Sequence, residues 1–465
     1  MDSNQTASDT KEINRSLDYS VYDGMAYSVM AGAGETYFSA FALFLKATTA
    51  QIGFLSALPP LLGSFAQLLS AWLGQISGQR RLIILTGTSL QAISFIPLLF
   101  LPVLFPDYCV TLLIVCVTVY YALGNLVAPQ WNSLMGDLVH EQQRGRYFAR
   151  RNRLMSITNF ISLIGAGVIL HFFEQQHTTF AGFTLIFVIA VIARLVSVNF
   201  LAKMIGLPGY VASLELPVIK DWWRRLHGSR FLRFAIFFTL MNFAVTIASP
   251  YFTVYMLRDL QLSYFEFMII TATLILAQFL ALNSWGRLCD AFGNRLILLV
   301  TGCILPSLPV AWIVSHNIWY LLAIQVLAGF SWAGFSLSSA NYLYDLVPPA
   351  KRVTYLAVHN VLAAVGMFLG ATLGGQLASV IEPAVASDGW LFGWDFALYY
   401  IFLISSLGRF IIIALFIPLI EEVRPTRRLT ASGVILRATG SPALAGLVIE
   451  YGGSRLVRKK PGINR

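Results

Sequence analysis

Glu35 is the residue around which chemistry could be organised. It is read as the one acid deep in the first half of the chain, thirteen residues into the apolar run 22–45 and eleven short of Lys46. At about 1.5 Å per residue, that depth is near the middle of a hydrocarbon core. A charge there costs roughly 2.5 to 3.5 kcal/mol, so the carboxyl must be neutral, paired or facing water. Three uses fit. It could carry a proton, bound while buried and released when a cavity floods; it could seat a cationic group of a solute; or it could pair with Arg194, which counting places within about 5 Å of the same depth. Its helical neighbours Ser28, Ala31, Gly32, Ser39 and Ala42 are small, which suits a cavity wall or a close helix contact.

Uncharged polar stripes extend the candidate set. Thr239, Asn242, Thr246 and Ser249 fall on one helical face, as do Asn125, Pro129 and Asn132, and as do Ser331, Gly334, Ser338, Asn341 and Asp345. Asn125, Asn132, Asn242, Thr246 and Asn341 therefore join Glu35 as candidates for coupling or substrate binding. The plain alternative for each is a hydrogen bond between helices, worth about 0.6 kcal/mol on average. The sequence has no phosphate-cradling glycine loop with a Lys, no HExxH and no G-x-S-x-G, so no enzyme chemistry is expected. Six scattered histidines and four cysteines form no ligand-like cluster; no metal or cofactor is expected, and no histidine is given a role.

The elements that must position these residues are membrane helices. Apolar residues make up 57% of the chain and charged ones 12%, against about 25% charged in a soluble domain. Twelve spans are read at 22–45, 51–75, 82–105, 108–135, 154–173, 180–204, 231–257, 264–286, 296–315, 318–343, 355–381 and 396–420. Unpaired backbone groups are too costly in lipid for anything but helices or a closed barrel, and barrel-type alternation is absent, so the fold class is all-α integral membrane.

A repeat divides the spans. Asp137-Leu138-Val139 with Arg144, Tyr147, Ala149 and Asn152 returns about 208 positions later as Asp345-Leu346-Val347 with Arg352, Tyr355, Ala357 and Asn360. Tyr37-Phe38 matches Tyr251-Phe252 and Arg81-Leu82-Ile83 matches Arg295-Leu296-Ile297, about 214 apart; Arg194 matches Arg409, about 215 apart. Two parallel repeats of six spans are a transporter architecture. The organisation expected is an amino-terminal cytoplasmic segment 1–21, a six-helix bundle 22–204, a cytoplasmic linker 205–230, a second bundle 231–420 and a basic cytoplasmic tail 421–465. Lys and Arg crowd the loops on one side, while the other side holds only Lys46 and Arg258, so both termini are expected in the cytoplasm of a cell whose inner membrane holds the protein. The net charge of +10 follows from that topology and anionic headgroups, without nucleic acid. Gly366, Gly370, Gly374 and Gly375, echoed by Gly165 and Gly167, suit either sliding or static helix contacts.

With these features the chain resembles the major facilitator superfamily, from about residue 22 to 421. That family's loop signature stands in the second half as Gly286, Asp290, Gly293 and Arg295, and survives in the first as Gly74, Ser77, Gly78, Arg80 and Arg81, without the acid. Asp137 with Arg144, and Asp345 with Arg352, resemble the acid-x6-Arg pairs of sugar porters, with Asp in place of Glu. The resemblance implies two six-helix bundles, a substrate surrounded by the first, fourth, seventh and tenth spans, and a cytoplasmic gate built from Asp137, Arg144, Asp290, Arg295, Asp345 and Arg352. Helix capping and topology are the simpler duties of the same charges. Arg194 and Arg409 are read as structural. The fifth span lacks the Gly-Pro signature of drug antiporters. The function expected is a monomeric secondary active transporter for a small solute, working by alternating access with protons and membrane lipids as its other partners. The alternatives are an exporter or lipid mover of the same fold, and a membrane sensor or assembly partner that moves nothing.

Overall fold

The computed structural model describes residues 3–140, 144–205, 229–347, 352–388 and 396–423. Among them every long element is a helix. The first half comprises α1 (Ser3–Ala33), a 3-10 turn (Glu35–Tyr37), α2 (Phe38–Phe44), α3 (Thr49–Ser77), α4 (Arg80–Ile93), the short α5 (Leu101–Leu104), α6 (Cys109–Leu138), α7 (Arg144–Gln175) and α8 (Thr179–Ala202). The second comprises α9 (Arg230–Thr246), α10 (Tyr251–Val254), a π turn (Tyr255–Asp259), α11 (Tyr264–Phe292), α12 (Asn294–Ile304), α13 (Ser307–Val314), α14 (Ile318–Leu346), α15 (Arg352–Asp388) and α16 (Leu398–Phe416).

Eleven stretches are long and apolar enough to cross a bilayer. The first crossing is the twelfth, and it is broken. α1 stops at Ala33, the chain tightens into the 3-10 turn at Glu35, and α2 completes the passage. The seventh crossing bends at the equivalent place, where α9 ends at Thr246 and Pro250, which has no N–H to give, precedes α10. α1 runs unbroken from Ser3, so the described part of segment 1–21 is an extension of the first crossing. The linker beyond residue 205 and the tail beyond 423 lie outside the described residues.

The repeat is visible in side chains as well as in the order of helices. Tyr37 donates its hydroxyl to the carbonyl of Leu163 on α7, and its counterpart Tyr251 donates to Ala371 on α15. Gly167 and Gly375, also counterparts, leave the room: a Cβ on either would stand within 3 Å of the tyrosine oxygen. Arg81 and Arg295 each donate to a carbonyl at the end of the sixth or twelfth crossing, Ala202 and Ile420.

In the first half α1 packs on α7 and α8, and α6 on α3 and α4; in the second α9 packs on α15 and α16, and α14 on α11 and α12. The halves meet where α3 runs along α15 and α7 along α11. The glycine ridge of α15 belongs to packing inside one half. Gly366, Gly370 and Gly374 bring that helix against the carbonyls of Thr239, Phe243 and Ile247 on α9, so the ridge is a static seat rather than a sliding surface between bundles. Gly370→Leu should lower stability by about 2 to 3 kcal/mol through overpacking, while Gly165→Ala, with open space around the new methyl, should change it by less than about 0.5 kcal/mol. Unfolding midpoints of the purified variants check both.

Packing differs between the two ends of the molecule. One core cluster joins the halves, with Tyr37, Phe41 and Phe187 from the first and Tyr251, Tyr255 and Phe267 from the second. It lies toward the end where Thr49 donates to Glu382 at 2.7 Å, Arg258 donates to Thr49 at 2.9 Å and pairs with Glu382, and the Tyr264 N–H reaches Glu174. At the other end, which carries Arg80, Arg81 and Arg295, each half has its own core: Ile84, Leu134 and Leu138 in the first, Leu298, Tyr342 and Leu343 in the second. Among the described residues the cores of the halves are thus fused at one end and separate at the arginine-rich end.

Candidate functional site

A cavity of about 320 Å³ lies within the first half, and Glu35 stands at its inner end. The break between α1 and α2 puts this side chain on an irregular turn, where the backbone is no longer a plain helix. Irregular backbone at membrane depth is tolerated where protein buries it or it lines a cavity, and here both hold. Each carboxyl oxygen takes a phenol from α6: Tyr120 at 2.9 Å and Tyr121 at 2.6 Å. Asn125, one turn further along α6, lines the same cavity and bridges helices by accepting from Gln67 of α3 at 2.7 Å.

Arg194 does not pair with Glu35. Its guanidinium binds the side-chain oxygen of Gln91 on α4 through two nitrogens and donates to Ser197 at 2.9 Å, lying 5.0 Å from the centre of the Tyr27 ring. Ser197 in turn donates to Asp23 at 2.6 Å. Asp23 is the acid that sequence reasoning missed. It is 4% exposed, more deeply enclosed than Glu35, and its second oxygen faces Arg151 of α7 at 3.5 Å. Arg151 also donates to the Ser20 carbonyl and lies 4.2 Å from the Trp131 ring. The cavity wall is therefore a linked set of two acids, two guanidiniums and their hydroxyl and amide bridges. The two guanidiniums gather on the Asp23 side, Arg151 directly and Arg194 through Ser197, while phenols hold Glu35.

The remaining candidates are scattered. Asn242 lines a second cavity, of about 520 Å³, in the second half, where its amide donates back to Phe238. Thr246 donates to Asn242 and to Met367 of α15, so it is a helix contact. Asn132 is exposed and Asn341 half-buried, and neither joins the lining of these two cavities. His359, given no role from sequence, is 5% exposed and lines the second cavity, with its ring 4.7 Å from that of Phe238. It occupies the repeat position of Arg151, the one signal that could have singled it out.

The charges read as a cytoplasmic gate find bonds within each half. Asp137 takes Arg80 of the same half at 2.7 Å, and Asp345 accepts from Asn294 at 2.9 Å, with Asn294 standing at the repeat position of Arg80. Arg295 is held by Ile420 and Glu422, and Asp290 is exposed, with no ion pair among the described residues. The side chains of Arg144 and Arg352 lie outside the described residues. These bonds tie helices within a half, α4 to α6 and α12 to α14. They do not bridge the halves, and the separation of the cores at this end is the physical reason.

A family model described as Major Facilitator Superfamily matches residues 24–239 and again 232–461. The vacuolar membrane amino acid uptake transporter fnx2 of Schizosaccharomyces pombe is 31% identical over 94 residues, 20% of this chain and 16% of that protein. The facilitated glucose transporter member 12 of Danio rerio is 30% identical over 162 residues, 34% of this chain and 25% of that protein. The matches thus span a quarter or less of these relatives. Among solved structures, a bacterial homologue of the iron transporter ferroportin in its inward-facing state superposes with a TM-score of 0.67 at 14% identity, covering 87% of this chain and 98% of that one.

Proposed function

The chain belongs to the major facilitator superfamily and is a multi-pass membrane protein; from that premise we propose that it is a secondary active transporter, moving a small organic solute by alternating access and coupling it to protons through Glu35. The observation that carries the proposal is the Glu35 carboxyl at the break of the first crossing, bonded by two phenols and lining a cavity.

Coupling follows from what those bonds require. A proton on either oxygen adds a donor and leaves that oxygen a weaker acceptor, so the bond from Tyr120 or Tyr121 weakens or reverses. Protonation and the contact between the α1 break and α6 are then mutually dependent. A helix contact that depends on a proton is the bistable element that alternating access needs. The fused end and the separate end correspond to the shut and open faces of such a cycle. Arginine-rich loops belong on the cytoplasmic side, which makes the arrangement inward-open, with both termini inside the cell and the inner membrane as its place. The relatives' names cover amino acids and glucose, and neither solute is carried over.

The test is flux. Purified protein in liposomes with an imposed pH gradient should accumulate at least one solute from a panel of metabolites, and collapsing the gradient should abolish the accumulation. Flux that ignores the gradient would remove proton coupling. No flux for any solute would favour the non-transporting reading.

A further inference from the structure

The charged cavity of the first half adjoins another space. A second space, of about 460 Å³, lies in the seam between α7 and α11, and it shares Tyr27 and Met155 with the cavity of Asp23 and Arg151. Its outer walls are Ile157 on α7 and Leu276, Phe279 and Leu282 on α11, all exposed apolar side chains on two membrane-crossing helices. Further in, Asn159 has a single bond of 3.4 Å to the Ser28 carbonyl, and the Gln278 side chain makes no hydrogen bond among the described residues. Polarity therefore rises from the exposed apolar walls, through Tyr27 and Met155, to a guanidinium.

Arg151 is placed to take an anion. Its approach to Asp23, 3.5 Å, is long for a charge-assisted bond, which runs at about 2.7 to 2.9 Å. Asp23 is anchored on its other oxygen by Ser197, so it can keep a partner when Arg151 turns away. Gly24 supplies the room: a Cβ there would stand 2.8 Å from the Arg151 guanidinium. The duplicated half keeps Arg409 as the counterpart of Arg194 but lacks the rest of this seat. At the positions equivalent to Asp23, Gly24, Tyr27, Gln91 and Arg151 it has Phe237, Phe238, Met241, Leu305 and His359. The solute this space fits has one charged end and an apolar remainder.

We infer that the site takes a single-chain amphiphile with an anionic head, a carboxylate or a phosphate monoester, which sets its head on Arg151 and its chain in the α7–α11 seam and enters sideways from the membrane. The inference deepens the transporter reading and rests on it for movement, though not for binding. Charged end and chain are separately testable because different residues hold them.

The experiment measures binding to the full chain in lipid nanodiscs, using quenching of tryptophan emission, to which Trp131 beside Arg151 contributes. Decanoate, decyl phosphate, decanol and decyltrimethylammonium are the probes. At least one of the two anions should bind tenfold or more tightly than the alcohol and the cation, and which one does identifies the head. Arg151→Gln should erase that preference. Ala31→Phe, which fills the seam, should weaken the decyl anion at least tenfold and leave butyl phosphate or butyrate unchanged; Ser156→Phe is the second filler should Ala31→Phe fold poorly. Equal binding of anion and alcohol, a preference that survives Arg151→Gln, or chain binding indifferent to both fillers would each overturn the inference. Binding without flux would instead sink the transporter reading alone, and proton-driven flux of another solute without amphiphile binding would sink this inference alone.

Discussion

Glu35→Gln should abolish accumulation driven by a pH gradient while leaving exchange or binding of the same solute measurable. The amide is close in shape to the carboxyl and can still accept from one phenol, so the break in the first crossing keeps part of its support. It cannot carry a proton. With one pH unit imposed and one proton moved per solute, the native protein can sustain about tenfold accumulation, and the variant should sustain none. Tyr121→Phe is the informative companion. It removes the 2.6 Å bond, of a type worth about 1.5 to 3 kcal/mol when one partner is charged, and should change the rate of the coupled step while leaving coupling itself in place. Radiolabelled uptake into liposomes reads both, and accumulation by Glu35→Gln equal to the native level would end the role assigned to this carboxyl.

The second large effect is expected from Asp23→Leu. Removing one partner of a buried ion pair leaves an uncompensated guanidinium, at a cost of about 3 to 5 kcal/mol. Here Arg151 is 10% exposed at a cavity, so the lower part of that range applies. Arg194 adds to the effect because the Ser197 hydroxyl, which now bridges it to Asp23, loses its acceptor. Asp23→Leu with Arg151→Leu should recover much of the loss, since two apolar residues can replace a pair where one cannot replace half of it. Unfolding midpoints of the single and double variants decide the matter: a double variant no more stable than the single would show that Arg151 was not the stranded charge.

Much of the framework was legible in the sequence because two periodicities overlap there. Runs of about twenty apolar residues announce the crossings, and the repeat announces the halves; Tyr37 with Tyr251, and Arg81 with Arg295, turned out to make equivalent bonds. Depth along a helix could be counted, which put Glu35 on the first crossing, while the break at that residue carried no signal in the sequence. Lateral enclosure could not be counted. Asp23 was overlooked because it sits one residue inside the predicted entry, where counting assigns it to an interface, whereas α7 and α8 wrap it in protein. Partners could not be counted either. Arg194 and Glu35 share a depth but face different neighbours, and Asp137 meets Arg80 from another helix. The apolar seam at α7 and α11 was invisible because it is made by two segments more than a hundred residues apart.

The aromatic core that fuses the two halves has a thermal consequence. To open that face, Tyr37 must part from Phe267, whose rings now lie 6.2 Å apart, and the surfaces of Phe41 and Tyr255 nearby must be wetted. Exposing apolar surface to water raises the heat capacity, so the barrier to this motion changes its enthalpy with temperature. Turnover limited by that opening would give a bent Arrhenius plot, with the steepest slope at the warm end.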